Sequence, residues 1–186
     1  MMEHGRTAGA HGAVVWFTGL PSSGKTTLAR RVQAQLERAR CAAVMLDSDE
    51  LREVLDEHSY APADRDRFYR ALSALAVLLA RQGMVALVAA TAPRRRDRDR
   101  ARSALAGEDG AHATRFVEVW VDTPLAECEA RDGKGLYAQA RRGDASELPG
   151  TGVAYEAPVS PEVVANGGFD EAAVAAIAQQ VDPGAK

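Results

Sequence analysis

Gly19-Leu20-Pro21-Ser22-Ser23-Gly24-Lys25-Thr26 matches the pattern GxxxxGK(S/T) at every defined position. Such a loop works only between a strand and a helix, and both flanks are present in the sequence. Upstream, Ala13-Val14-Val15-Trp16-Phe17-Thr18 is an apolar run rich in β-branched and aromatic residues, which reads as a buried strand. Downstream, Leu28, Val32 and Leu36 recur at helical spacing over 26–40, so one face of that helix packs on a sheet. Glycine lets the loop wrap a phosphate, and the backbone N–H groups with the helix N-terminus supply positive potential. Lys25 reaches the β/γ-phosphates and the Thr26 hydroxyl ligates Mg²⁺. Gly19, Ser22, Ser23, Gly24 and Thr27 complete the expected site for the phosphates of a nucleoside triphosphate. Lysine is scarce here: Lys25, Lys134 and Lys186 are the only three in the chain, against twenty arginines. A compact ammonium kept at the loop position is therefore not an incidental surface cation.

The remainder alternates in the same way. Apolar runs at 42–46, 84–90 and 116–121 read as further strands, with helices expected over 26–40, 64–82, 94–106 and 171–181. Gly83 is the expected C-cap of the second helix. Asp122 or Thr123 is expected to cap a helix whose first turn holds Pro124, and Asp170 to cap the last. Continuous apolar strands separated by helices indicate a parallel sheet covered on both faces, with ligands beyond the carboxyl ends of the strands. The expected fold is thus α/β, a three-layer P-loop NTPase or kinase architecture with a mobile lid. Residues 1–12 read as a disordered tail and 13–181 as a single domain. A lid and substrate loop fall at about 131–168, and 182–186 form a second tail.

Composition narrows the partners. The length of 186 residues suits one domain, and the net charge of −3 gives no basic excess for nucleic acid. The charged run Arg94 to Arg100 is expected to be a solvated helix face, since no aromatics interleave it. Cys41 and Cys128 lack metal-ligand spacing and read as reduced core thiols, and Trp16 and Trp120 read as core. No apolar stretch reaches the ~20 residues of a membrane helix, and the polar start lacks a signal-peptide core, so the expected location is the cytoplasm.

Asp47 and Asp49 follow the second strand, and if the strand persists their side chains share a face. One would orient an acceptor hydroxyl and the other hold Mg²⁺. Here the sequence resembles the adenylylsulfate (APS) kinases, which pass the γ-phosphate of ATP to the 3′-hydroxyl of adenosine 5′-phosphosulfate to give PAPS. The likeness runs from about Val14 to Glu162. It includes GLPSSGKTTLA, LDSDELR, the ADR at 63–65, FVEVWVDTPLAECEARDGKGLYAQARRG and YEAPVSPE, with RDGKGLY the most specific.

The resemblance implies that Asp47 is the base or Mg²⁺-organising acid, and that Arg52 and Arg65 contact the phosphosulfate of APS. It places Asp49 and Tyr60 in the acceptor site and Arg131 and Arg141 on the ATP side. Lys134, Gly135 and Leu136 would belong to a lid over both nucleotides. Departures gather on the acceptor side. Ser48 stands for a glycine, Ala92 for a serine, Phe68 near an expected asparagine, and Leu148 for the phenylalanine that would stack on the APS adenine. Two alternatives accompany this reading: a related kinase acting on another nucleotide or small-molecule alcohol, and a nucleotide-binding module without catalysis. A homodimer stays open.

Overall fold

The computed structural model describes residues 12–107, 113–133, 135–142 and 148–181. The tail expected at 1–12, save residue 12, lies outside them, as do the tail expected at 182–186 and Lys134. The first apolar run is β1 (Ala13–Thr18), and every residue of it is buried. Alternate side chains serve two cores, as a pleated strand requires. Ala13, Val15 and Phe17 join Leu28, Val32 and Leu36 of α1 (Lys25–Arg38) and Val174 and Ile177 of α7 (Glu171–Val181) on one face. Val14 and Trp16 join Leu72, Ala76 and Val77 of α3 (Pro62–Arg81) and Ala101 of α4 (Arg95–Leu105) on the other. A helix layer on each face explains why the strands are apolar throughout instead of alternating.

The sheet adds β2 (Ala43–Asp47), β3 (Val85–Ala89), β4 (Arg115–Val121) and β5 (Val163–Ala165) in the order β2-β3-β1-β4-β5, all parallel. Three short helices complete it: α2 (Ser48–Val54), α5 (Leu125–Arg131) and α6 (Leu136–Arg141). No helix of the described residues is long and apolar enough to cross a membrane.

Several expectations are corrected. The stretch read wholly as lid and loop contains α6 and a fifth strand, which is only three residues long and so leaves no periodicity to detect. Pro124 itself occupies the N-cap of α5, which has no side-chain cap. Asp170 does cap α7, accepting from the Ala173 N–H at 2.9 Å, and Gly83 follows α3 with φ 85°. Both cysteines are buried, and neither is in a disulfide. Trp16 is buried and Trp120 half-buried.

The run from Arg94 to Arg100 is not wholly a solvated face. Asp97 is buried, and Arg98 is fully buried. Arg98 donates to Glu118 Oε1 (2.7 Å), the Ala92 carbonyl (2.6 Å) and the Glu156 carbonyl (2.7 Å). Arg102 pairs with Glu162, whose carboxylate also accepts from the Glu118 N–H at 2.6 Å. A buried guanidinium needs such partners. This set ties α4 and β4 to the strap at 155–162.

Candidate active site

The carboxyl ends of β1 and β2 converge on one loop. Residues 19–24 connect β1 to α1, so the main-chain N–H groups at the start of a fourteen-residue helix face the loop's concavity. Gly24 has φ 101°, and a Cβ there would stand 2.7 Å from the Gly168 nitrogen. In return, a Cβ on Gly168 would stand 2.9 Å from the Gly24 carbonyl oxygen, so the β5–α7 connection forms the back wall of the loop. Two side chains hold the same loop by its carbonyls. The Thr123 hydroxyl donates to the Ser23 carbonyl (2.8 Å) and the Tyr137 hydroxyl to the Pro21 carbonyl (3.0 Å). Burial, with Cys128 beside it, raises the Tyr137 hydroxyl above the ordinary phenol range and keeps it a donor.

The Lys25 ammonium donates to the Leu20 (2.8 Å) and Gly19 (3.2 Å) carbonyls and so lies over its own loop. The Ser23 hydroxyl is buried with no hydrogen-bond partner. An orphaned polar atom inside an N–H-rich loop fits a phosphate cradle. Asp47 is the last residue of β2 and the N-cap of α2, its Oδ1 accepting from the Asp49 N–H at 2.9 Å. Its Oδ2 accepts from the Thr26 hydroxyl at 2.6 Å. That bond brings the expected metal pair together, and a hydroxyl beside a carboxylate is the hard oxygen set that Mg²⁺ prefers. The strand does not persist: Ser48 begins α2, so Asp49 is exposed in its first turn and does not share a strand face with Asp47.

A second cluster lies on α2 and α3. Arg52 and Arg65 are both buried, not spread on a helix surface. Arg52 lies over the rings of Tyr60 and Phe68. Burial pushes the Tyr69 hydroxyl up to about 12, against the pull of Arg52 and Arg65 nearby. That hydroxyl accepts from the Ala92 N–H at 3.1 Å, while Arg98 holds the Ala92 carbonyl. Ala92 keeps a left-handed φ of 38° between these two clamps.

Other expected residues are placed differently. Leu148 is 8% exposed and packs with Cys128 and Tyr137, with Leu20, Leu136 and Ala140 against them. Its partners belong to the phosphate loop and α5–α6. Phe68 is likewise interior. Arg131 and Arg141 are exposed, paired with Glu127 and Glu129 at 2.9 Å each. Gly135, with φ 65°, is the N-cap of α6.

Sequence reasoning assigned no site role to Thr18, Tyr137 or Tyr155, and gave Thr123 only a helix-capping one. The Thr18 hydroxyl donates to the Thr91 carbonyl at 2.7 Å and lies 3.1 Å from the Tyr155 hydroxyl, joining the ends of β1 and β3 to the strap. Tyr137 and Tyr155 stand in RDGKGLY and YEAPVSPE, which offered a signal. Thr123 likewise stands in FVEVWVDTPL, whereas Gly168 lies in none of these stretches.

The adenylylsulphate kinase family profile matches residues 11–166. An adenylyl-sulfate kinase of Paraburkholderia xenovorans is 42% identical over 156 residues, covering 83% of each chain. One of Escherichia coli is 41% identical over 160 residues, 86% of this chain and 77% of its own. Among solved structures, an APS kinase of Mycobacterium tuberculosis in complex with AMPPNP and APS aligns with a TM-score of 0.78 and 38% identity, over 92% of this chain and 95% of that one. With the phosphate loop, the Thr26–Asp47 pair and this likeness along most of its length, the chain belongs to the adenylylsulfate kinase family.

Proposed function

We propose that the protein phosphorylates the 3′-hydroxyl of adenosine 5′-phosphosulfate with ATP to give PAPS. The observation that carries this reading is the 2.6 Å bond from Thr26 to Asp47, which joins the phosphate loop to the carboxylate at the end of β2 in a chain of this family. Gly19, Ser22, Ser23, Gly24 and Thr27 cradle the ATP phosphates. Lys25 leaves its carbonyl contacts to neutralise the β/γ-phosphates, and Asp47 aligns the acceptor hydroxyl for in-line attack. Thr26 and Asp47 would hold Mg²⁺, which supplies further neutralisation of phosphate charge. Arg52 and Arg65 face the phosphosulfate, since guanidinium binds such oxygens in bidentate fashion. Tyr60, 53% exposed, offers the ring for the acceptor base, and Asp49 is assigned to the same acceptor site. Arg131 and Arg141 would serve the ATP side, and Lys134, Gly135 and Leu136 would belong to a lid over both nucleotides.

Burial favours APS over a different acceptor. Phe68 and Leu148, two departures from the family pattern, are both interior, so neither is a new contact surface for another substrate. A module that only binds nucleotide has no need of a carboxylate aligned on an acceptor hydroxyl. The test is ADP release over a panel of acceptors with APS first. Saturable, APS-dependent ADP release is expected, whereas release with another alcohol and none with APS overturns the reading.

A further inference from the structure

Arg52 is 5% exposed, and its guanidinium carbon lies 3.9 Å from the Phe68 ring centroid and 4.5 Å from that of Tyr60. Its Nη1 donates to the Glu57 and Ser59 carbonyls, both at 3.2 Å. Its Nη2 is buried and has no hydrogen-bond partner. Leaving such a charged donor unpaired in the interior is unfavourable, and an incoming anion relieves it.

The two rings differ. Tyr60 is open to solvent on the short link between α2 and α3. Phe68 is 4% exposed, meets Tyr69 edge-on with centroids 5.6 Å apart, and packs with Trp16, Leu46 and Leu72. One ring is a fixed base and the other a cover. An asparagine at residue 68 could offer Arg52 a polar contact but no face to rest on.

We infer that Phe68 is a positioning residue for the acceptor: its buried ring fixes the Arg52 guanidinium so that Nη2 meets the phosphosulfate of APS. This rests on the APS reading above. Phe68 does not touch the substrate; it acts through Arg52, by the attraction of a cation to a ring face. A ring that only fills the core would act on stability and not on the affinity for one substrate.

The experiment is a double-mutant cycle read by steady-state kinetics. Phe68→Leu keeps the apolar character and removes the ring, and Arg52→Met keeps an unbranched stem and removes the charge. Phe68→Leu is expected to raise the KM for APS by about tenfold while the KM for ATP stays put. In the Arg52→Met background the same change is expected to raise it no further, because the two residues act as one unit. Phe68→Met repeats the measurement should Phe68→Leu not fold, as judged by thermal unfolding. An unchanged KM for APS in Phe68→Leu, or a full additional rise on top of Arg52→Met, overturns the inference while wild-type turnover of APS leaves the functional reading standing. Absence of APS turnover in the wild type overturns both.

Discussion

Around the phosphate loop the chain is gripped mostly by its backbone. Tyr137 and Thr123 bind the carbonyls of Pro21 and Ser23, and Gly168 rests against the main chain of Gly24. On the acceptor side the shape comes from side chains on side chains, with Arg52 held between two rings and Arg65 buried beside them. A backbone grip tolerates almost no change in residue type at its small positions, whereas a ring and a cation can be exchanged for other pairs of similar shape. Of the departures from the family pattern, Phe68 falls where the second kind of grip operates, whereas Leu148 packs beside the phosphate loop.

The comparison breaks most visibly at its centre. Lys25→Ala should lower kcat by about 10²–10³ or more while leaving the fold, because it removes charge compensation and little packing. Turnover within about tenfold of wild type would take the phosphate loop out of the mechanism. Asp47→Asn comes next, with a fall of about 10² in kcat and a small change in ATP affinity, since asparagine still caps α2 and still accepts from Thr26. A parallel loss of ATP binding, read by titration, would move Asp47 from the acceptor to the donor side.

Gly168→Ala isolates the donor grip. The added Cβ would stand 2.9 Å from the Gly24 carbonyl oxygen and from the Thr27 Cβ, costing about 1–3 kcal/mol of stability in thermal unfolding. The KM for ATP should rise several-fold, and an equal rise for APS would show that the two regions are not separate. Tyr137→Phe sharpens the same point at smaller scale. Loss of its bond to the Pro21 carbonyl should remove ~1 kcal/mol, seen as a few-fold higher KM for ATP and no change for APS.

The donor region was legible in the sequence because its chemistry is written locally, in Gly19 to Thr26 with a strand before and a helix after. The sheet was legible from its apolar runs, except β5, too short to carry a pattern. The acceptor region was legible only in part. Arg52 and Arg65 stand out in the sequence, but their burial does not, and Arg52 rests on rings further along the chain. Leu148 was matched to a stacking ring, but the packing of Cys128 and Tyr137 draws it inward. Asp49 was paired with Asp47 by strand alternation, and the helix that starts at Ser48 parts them. Arg98 was lost in a run of charge because its partner Glu118 sits on another element.

The contact of Gly24 with Gly168 also bears on the order of assembly. Chains emerge from synthesis N-terminal end first, and domains fold as units. The phosphate loop is made early, but its back wall follows β4, α5, α6 and β5. A nascent chain carrying the whole GLPSSGKT motif therefore lacks the surface that holds the motif in shape. Competence to bind ATP arrives late in synthesis, when the β5–α7 connection docks behind the loop.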